Sequence, residues 1–226
     1  KIHKIENIET AEMSKLFENC FRAINISYVN EMKAVCNKMN INILDVIQAC
    51  RTKPFGFMPF YPGPGVGGHC IPVDPYLLSW KSKKLKVNTR FLNLALQLNE
   101  NLKNKIFNKI KKIIRKNIIK KKVKILILGV SYKKNVDDIR ESPSIKILEK
   151  LYKNKYIVSY FDPYVSFFNL KKKFKSEKSL KISNFDVVVL ATDHDKFDYK
   201  NIRKNSKILI DTRGRFVGDN KKIYNV

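Results

Sequence analysis

Residues 63–75 read Gly63-Pro64-Gly65-Val66-Gly67-Gly68-His69-Cys70-Ile71-Pro72-Val73-Asp74-Pro75, and the interpretation of the whole chain starts from them. Glycine has no Cβ, so a loop this rich in glycine lets its backbone lie close to a ligand. The loop carries one cysteine just before a predicted helix start, and a carboxylate four residues later. Unpaired N–H groups at that helix start would favour the thiolate of Cys70. The spacing fits a nucleophile beside a substrate, and it fits equally well a small buried Cys70 followed by Asp74 as a helix N-cap.

Three of these glycines also match a dinucleotide-binding pattern. Gly63, Gly65 and Gly68 spell G-x-G-x-x-G, which binds dinucleotides only where it follows a strand and opens a helix. The preceding residues 57–62 contain two prolines, which a central strand does not tolerate. We therefore reject a dinucleotide site here and retain the cysteine-loop interpretation.

Composition narrows the class of protein. The chain has 226 residues, of which 44% are hydrophobic, so it is globular rather than disordered. No stretch approaches the roughly 18 consecutive apolar residues of a membrane span, and no secretory signal is visible. The net charge of +26 suggests nucleic acid as a partner, but most of the cationic residues are lysines scattered through every segment. We interpret them as solvated faces and expect neither nucleic-acid nor membrane binding.

Cysteine and histidine usage indicates a reduced, cytoplasmic protein without a metal. The four cysteines contain no C-x-x-C pair. Cys20, Cys36 and Cys50 lie in helical patterns, where a free cysteine behaves as a small apolar residue. The three histidines, at positions 3, 69 and 194, are too dispersed to argue for a zinc site.

The first half of the chain is predicted to be helical. Apolar residues at helical spacing predict a long helix over 11–39, with Thr10 as its N-cap, and a second helix near 43–50. A proline- and glycine-rich loop over 51–69 follows. Asp74-Pro75 is predicted to cap and open a helix to about residue 85. A last helix, from about 89 to 119, has the character of a connector.

The second half is predicted to be a parallel α/β unit. Apolar runs over 123–128, 156–161, 186–191 and 207–210 predict strands, and Ser142-Pro143 predicts the start of a helix to about residue 153. Strands alternating with helical stretches imply a parallel sheet with helices on its faces. The lysine-rich run 171–178 is interpreted as a solvated loop. We divide the chain into a helical domain (1–87), a connecting helix (88–121) and a small Rossmann-like α/β domain (122–226).

Four stretches of the chain resemble a known family. The stretch 52–80, TKPFGFMPFYPGPGVGGHCIPVDPYLLSW, is similar to the active-site segment of the nucleotide-sugar 6-dehydrogenases, also called the UDP-glucose/GDP-mannose dehydrogenase family. AEMSKLFENCFRAINISYVNE resembles the family's central helix. LGVSYKKNVDDIRESPS and ATDHDKFDY resemble its C-terminal UDP-binding domain. The similarity is greatest to the branch that acts on UDP-N-acetylhexosamines.

The resemblance implies a catalytic mechanism. Family members oxidise the sugar C6 alcohol to a carboxylate in two hydride transfers to NAD. Cys70 corresponds to the residue that attacks the aldehyde intermediate, giving a thiohemiacetal and then a thioester. Lys15 and Asn19, which share one helix face, correspond to the pair that stabilises the oxyanion. Asp74 corresponds to the aspartate that activates water.

The resemblance also implies binding residues. Phe60, Tyr61, Gly63 and Gly67 correspond to the loop around the nucleotide-sugar. Tyr132 and Lys133 correspond to a pair that contacts uridine and sugar, at the carboxyl end of a strand where ligands of parallel sheets lie. Arg213 corresponds to a substrate contact, and Arg140 to a residue that reaches the cofactor of a neighbouring subunit. Each arginine is equally compatible with a surface ion pair.

The resemblance implies a partner domain and leaves alternatives. Family members begin with an NAD-binding domain that nothing in these 226 residues matches, so we expect a fragment, or a separate chain that supplies the missing half. Alone, the chain is expected to bind UDP-sugar weakly and to oxidise nothing. Family members dimerise through the central helix and serve surface-polysaccharide precursor synthesis, such as capsule or O-antigen. The alternatives are action on UDP-glucose or GDP-mannose, and a non-catalytic nucleotide-sugar binding or oligomerisation module.

Overall fold

A computed structural model describes residues 4–216 and 222–226. His3 lies outside the described residues. Six helices and seven strands follow one another in these residues, with a short 3₁₀ turn at Ile182–Asn184. The helices are α1 (Ile8–Lys38), α2 (Ile43–Arg51), α3 (Asp74–Lys84), α4 (Arg90–Asn117), α5 (Pro143–Lys153) and α6 (Tyr199–Asn205). The strands are β1 (Lys124–Leu128), β2 (Ile157–Phe161), β3 (Phe167–Asn169), β4 (Lys173–Lys175), β5 (Val187–Leu190), β6 (Leu209–Asp211) and β7 (Ile223–Asn225).

The long first helix begins one turn earlier than the sequence predicts. The side chain of Asn7, not of Thr10, accepts a hydrogen bond from a free helical N–H, that of Thr10 itself, at 2.8 Å. The N-cap prediction for Thr10 is therefore wrong. Both residue types cap helices well. Because the helix already begins at Ile8, Asn7 occupies the capping position and Thr10 lies inside the first turn. The second helix, α2, is capped by Asn42, which accepts from the N–H of Leu44 at 3.0 Å.

Helix α4 packs against both halves of the chain. Near its start, Leu92 and Leu96 are buried with Cys20 of α1. Further along, Ile106 and Ile110 are buried in the largest apolar cluster, which also contains β1 and α5. Its buried apolar positions thus recur from Leu92 to Ile114, about six turns, and pack first on α1 and then on the sheet.

The α/β half is a five-stranded parallel sheet in the order β2-β1-β5-β6-β7. Its central strands, KILIL and VVVL, are apolar on both faces because helices cover both faces. Helices α4 and α5 contribute to the cluster on one face. A second cluster, containing Ile202 of α6, covers the other face. The predicted α/β class, with an all-helical part followed by a Rossmann-like sheet, is confirmed.

Several short elements differ from the prediction. The run 171–178 is not a plain solvated loop, because Lys173–Lys175 forms an antiparallel pair with β3. Phe174, the single apolar residue of that strand, is buried and stacks on Phe168 with ring centroids 5.4 Å apart. Sequence reasoning also missed α6 and β7, which are too short to show periodicity.

A buried lysine connects the helical half to the carboxyl edge of the sheet. Lys33 of α1 is only 3% exposed, and its ammonium group donates to the backbone oxygens of Val226 and, at 3.4 Å, Asp211. Burial lowers the pKa of Lys33 to about 7, although the nearby Asp211 carboxylate acts in the opposite direction. Among the described helices, none is both long and apolar enough to cross a bilayer.

Candidate active site

Cys70 lies in the last turn before α3. Residues 52–73 form an irregular segment between α2 and α3. The carbonyl oxygen of Cys70 accepts hydrogen bonds from the N–H groups of Val73 at 2.9 Å and Asp74 at 2.8 Å. This turn places the half-buried thiol close to the amino end of α3. The Sγ atom lies 3.9 Å from Nδ1 of the exposed His69, at the outer limit of a sulfur contact.

A carboxylate–amide pair joins α3 to α1 beside this turn. The side-chain amide of Asn19, which is only 2% exposed, donates to Oδ2 of Asp74 at 2.6 Å. Asp74 is the first residue of α3 and does not cap it, because the N-cap is Val73 and no side chain accepts from the helix start. The N-cap prediction for Asp74 is therefore wrong. Its carboxylate is held by Asn19 of α1 instead of capping its own helix.

A second thiol lies close to this pair. Burial and, in addition, the negative charge of Asp74 raise the pKa of the Cys20 thiol. Cys20 is thus kept neutral and packs among apolar side chains, as the sequence predicted. All four cysteines are free thiols.

Lys15 and Asn19 share a helix face but have different partners. The Lys15 side chain is 60% exposed, and its ammonium group lies 3.5 Å from Oε2 of Glu18 on the same helix. Such exposed pairs contribute little to stability, so Lys15 can change its partner at small cost. The structure brings Asn19 to Asp74 and leaves Lys15 at the surface.

The glycines of the loop lie directly against the α/β half. A Cβ on Gly67 would be 2.6 Å from Cβ of Tyr132 and 3.0 Å from Cδ of Pro143, well inside van der Waals contact. The N–H of Gly68, whose φ is +91°, donates to the carbonyl oxygen of Arg140 at 2.8 Å. The absence of a side chain at Gly67 and Gly68 thus allows the loop to lie close to Tyr132 and its neighbours. The role of Gly67 in ligand binding stays a prediction.

The first part of the loop packs on α1. The ring of Phe60 meets that of Phe21 edge to face, with centroids 5.7 Å apart, whereas Tyr61 is exposed. The N–H of Gly63 donates to the side-chain oxygen of Asn30 at 3.0 Å. Phe60 therefore has a packing role here, and Tyr61 has a free ring.

Arg213 reaches the same loop from the sheet. Its side chain is 16% exposed, and its Nε donates to the carbonyl oxygen of Ala191 at 2.6 Å and lies 3.5 Å from Oδ1 of Asp193. A Cβ on Gly63 would lie 2.5 Å from the guanidinium group. Burial lowers the pKa of Arg213 from its ordinary value, but an arginine remains cationic.

Three further predicted residues lie in the segment after β1. Tyr132 packs on Gly67 and Gly68, as described, while Lys133 is exposed at the carboxyl end of the sheet. Arg140 is also exposed and holds Asp138 with two guanidinium nitrogens, which lowers the pKa of that carboxyl. The surface ion pair, which the sequence left open for both arginines, is thus observed at Arg140.

Sequence reasoning missed a buried polar network beneath these residues. It consists of the side chains of Ser131, Asp162 and His194, with backbone N–H groups around them. The stretch ATDHDKFDY carries this histidine, but no role was assigned to it. A signal was available, because a histidine and two aspartates at the end of a strand pattern are polar where apolar residues are expected.

Two crevices border the glycine loop. A crevice of about 260 Å³ between α1 and α4 is lined by residues that include Lys33, Gly63 and Asn99, and a smaller one of about 90 Å³ includes Val66 and Tyr76. Cys70 lines neither. Within residues 4–216 and 222–226, no three histidine, cysteine, aspartate or glutamate side chains are placed to share a metal ion.

Comparisons with known proteins agree with this arrangement. Residues 9–101 match the model of the UDP-glucose/GDP-mannose dehydrogenase family, central domain, and residues 126–220 match that family's UDP binding domain. A UDP-N-acetyl-D-mannosamine dehydrogenase of Methanococcus maripaludis is 38% identical over 216 residues, which are 95% of this chain and 48% of that protein. A UDP-N-acetyl-D-glucosamine 6-dehydrogenase of Salmonella typhi is 34% identical over 220 residues, 93% of this chain and 51% of that protein.

A solved structure shows the same fold. The UDP-D-ManNAc dehydrogenase of Pyrococcus horikoshii superposes with a TM-score of 0.79 at 32% identity, over 95% of this chain and 51% of that one. The chain thus spans about half the length of the relatives it matches. The family expected from the residues is confirmed.

The contact between the glycine loop and the α/β half can be tested with a matched pair of variants. We expect Gly67→Ala to lower the free energy of unfolding by about 1–3 kcal/mol, because the new methyl group meets Cβ of Tyr132, which cannot turn aside. We expect a smaller loss in Gly63→Ala, because its methyl group meets the end of the longer Arg213 side chain. Urea unfolding of both variants measures the difference. Equal, negligible losses would show that the loop does not lie against Tyr132.

Proposed function

Because the chain belongs to the UDP-glucose/GDP-mannose dehydrogenase family, we propose that it is the substrate-side half of an NAD-dependent UDP-N-acetylhexosamine 6-dehydrogenase. One observation carries the proposal. The glycine loop with Cys70 lies against Tyr132 and Arg213 of the UDP-binding half, so a thiol and a nucleotide-binding surface share one loop. We also propose the division into a helical domain (1–87), a connecting helix (88–121) and a UDP-binding domain (122–226).

We assign the nucleophile to Cys70. In the proposed reaction its thiolate attacks C6 of the sugar aldehyde, and the carbonyl oxygen becomes the oxyanion of a thiohemiacetal. Loss of hydride from C6 leaves a thioester. Water then adds to the thioester, the C–S bond breaks, and the thiolate returns with the sugar as a carboxylate.

We assign supporting roles to three side chains near this thiol. Asp74 is proposed to take the proton of the attacking water, and its bond to the buried Asn19 amide fixes its direction. Asn19 and Lys15 are proposed to stabilise the oxyanion. The weak, exposed pairing of Lys15 with Glu18 supports a side chain that turns towards substrate when substrate binds.

We assign the nucleotide-sugar to the surface where loop and sheet meet. Arg213 and Lys133 supply positive charge for a diphosphate, and the rings of Tyr132 and Tyr61 supply flat surfaces for the base and sugar. The main chain at Gly63 and Gly67 and the ring of Phe60 complete the proposed wall. Tyr132 and Lys133 follow β1 and Arg213 follows β6, so these three residues lie at the carboxyl end of the parallel sheet, where such folds bind their ligands.

We propose NAD as the hydride acceptor of the whole protein. The G-x-G-x-x-G pattern of residues 63–68 neither follows a strand nor opens a helix, but lies in an irregular loop packed on Tyr132 and Arg213. NAD would therefore be held by an N-terminal domain outside this chain. Arg140 is proposed to reach the cofactor of a neighbouring subunit, and its exposed guanidinium is compatible with that role.

The proposed substrate class and cellular role follow the named relatives. Those relatives act on UDP-N-acetyl-D-mannosamine or UDP-N-acetyl-D-glucosamine, according to their names. UDP-glucose and GDP-mannose remain the alternative substrates, and a non-catalytic nucleotide-sugar module remains the alternative class. We further propose a cytoplasmic protein that supplies uronic acid units for a surface polysaccharide.

The activity can be tested in the whole protein that contains this chain. We expect two NADH per UDP-N-acetylhexosamine and less turnover with UDP-glucose or GDP-mannose. In Cys70→Ala we expect no carboxylate product and at most one NADH per sugar, because the second hydride leaves from the thiohemiacetal that Cys70 forms. Cys50→Ala is the control, since this thiol lies on α2 and is expected to leave turnover unchanged. Absorbance of NADH measures all arms. Full turnover in Cys70→Ala, or oxidation by the 226-residue chain alone, would contradict the assignment.

We propose that two copies dimerise through α1. Met13, Phe17, Tyr28 and Val35 recur at intervals of 4, 11 and 7 residues and therefore share one helix face, and all four are exposed. A row of exposed apolar side chains on one long helix is unusual for a monomer surface. The helix is long enough to pack against its own copy.

Sedimentation equilibrium tests this partner. We expect Phe17→Asp to shift the protein from dimer to monomer, because the substitution places a charge in the apolar contact. Ile8→Asp is the control, because Ile8 is equally exposed on α1 but lies away from that face. A dimer in both variants, or a monomeric unsubstituted chain, would contradict the proposal.

A further inference from the structure

The turn after β5, residues 192–195, is interlocked with the segment that carries Tyr132 and Lys133. The hydroxyl of Thr192 donates to the carbonyl oxygen of Ser131 at 2.7 Å. Two hydrogen bonds join Asp195 and Asn135: the side-chain amide of Asn135 donates to Oδ2 of Asp195 at 2.6 Å, and the backbone N–H of Asp195 donates to Oδ1 of Asn135 at 3.0 Å. The segment is therefore held at both of its ends, on either side of Tyr132 and Lys133.

His194 of the same turn is buried and makes the most specific of these contacts. Its Nδ1 accepts a hydrogen bond from the backbone N–H of Asn135 at 2.9 Å. A backbone N–H only donates, so Nδ1 carries no proton and Nε2 carries the proton of a neutral imidazole. Nε2 lies 3.0 Å from Oδ2 of Asp162, to which it donates. Both side chains of this pair are fully shielded from solvent.

Asp162 holds the first end of the segment. Its Oδ2 accepts from the N–H groups of Val130 at 2.7 Å and Ser131 at 3.2 Å. The imidazole of His194 therefore bridges the two ends: Asp162 binds residues 130 and 131, and Nδ1 binds residue 135. Tyr132 and Lys133 lie between these fixed points.

Ser131, His194 and Asp162 are not a catalytic triad. Ser131 Oγ and Asp162 both face Nε2, at 3.3 and 3.0 Å, whereas a triad needs one imidazole nitrogen for each. The Ser131 hydroxyl donates instead to the carbonyl oxygen of Lys133 at 2.8 Å. This buried network therefore fixes the backbone in place and does not form a nucleophile.

The same turn also holds Arg213. Oδ1 of Asp193 lies 3.5 Å from Nε of Arg213, and the carbonyl oxygen of Ala191, one residue before the turn, accepts from that nitrogen at 2.6 Å. The turn 192–195 thus contacts both the segment that carries Tyr132 and the side chain of Arg213, which face the glycine loop from the sheet.

We propose that His194 is a positioning residue for the nucleotide site: through its bond to the N–H of Asn135 it fixes the segment that presents Tyr132 and Lys133 to the nucleotide diphosphate. This inference rests on the proposed function, since it takes these two side chains as ligand contacts. His194 does not touch the ligand. It acts through the backbone of residues 130–135.

Two substitutions separate the two hydrogen bonds of the imidazole. In His194→Asn the side-chain oxygen can occupy the place of Nδ1 and accept from Asn135, while the donor to Asp162 is lost. In His194→Gln the side-chain nitrogen can occupy the place of Nε2 and donate to Asp162, while the acceptor for Asn135 is lost. Each variant loses one buried hydrogen bond, so similar losses of stability are expected.

Titration of the 226-residue chain with UDP, followed by NMR, distinguishes them. We expect UDP affinity within about threefold of the unsubstituted chain in His194→Asn and lower by about tenfold in His194→Gln, the ratio that corresponds to roughly one hydrogen bond. A purely structural role predicts that affinity follows the melting temperature, with no difference between the variants. Equal UDP affinity in the two variants would overturn the inference.

A second readout does not depend on ligand. Hydrogen exchange of the Asn135 amide is expected to stay slow in the unsubstituted chain and His194→Asn and to become fast in His194→Gln. The imidazole ¹⁵N signals of the unsubstituted chain are expected to show one neutral tautomer with its proton on Nε2. A rapidly exchanging Asn135 amide or the other tautomer in the unsubstituted chain would overturn the inference even if His194→Gln fails to fold. Absence of UDP binding in the unsubstituted chain, with these signatures intact, would instead contradict the proposed function.

Discussion

The close approach of Gly67 to Tyr132 is the constraint on which the arrangement of the site depends. The two halves of the chain have separate cores, one around α1 and one around the parallel sheet. One place where they meet is Gly67, whose backbone lies on the side chain of Tyr132, and a Cβ at position 67 would lie only 2.6 Å from Cβ of Tyr132. Because Cys70 follows three residues later, this contact also sets the distance between the thiol and the sheet.

The charges of the site are arranged differently from those of the surface. Most of the lysines that give the net charge of +26 are exposed, and they say little about function. The informative groups are those that neighbours hold in place. Asp74 is held by Asn19, and Arg213 is held by Asp193 and a backbone carbonyl. Side chains that are already fixed by hydrogen bonds lose little conformational entropy when a ligand binds, which is the advantage of a preorganised site.

Much of the fold could be predicted from sequence, because long elements show their period. The long helix, the apolar strands and the Ser142-Pro143 start were all visible in the pattern. Caps were less certain: Asn7 and Thr10 are both good caps, and the packing of Asp74 on α1 removed it from the capping role that its position suggested. The strand around Phe174 has a single buried apolar residue between lysines, which local patterning cannot distinguish from a loop.

For the candidate site, the sequence predicted which residues take part but not how they are arranged in space. Cys70, Tyr132 and Arg213 are distant in sequence, and only the fold shows that they meet on one loop. The role of His194 was hidden because it depends on a backbone N–H, which no sequence pattern reports.

We propose that the thiol and the nucleotide-sugar surface form one site. The decisive measurement is alkylation of the chain with iodoacetamide, read by mass spectrometry at each cysteine with and without UDP-N-acetylmannosamine. We expect saturating ligand to slow the modification of Cys70 and to leave that of Cys50 unchanged. Ligand binding without any protection of Cys70 would contradict it.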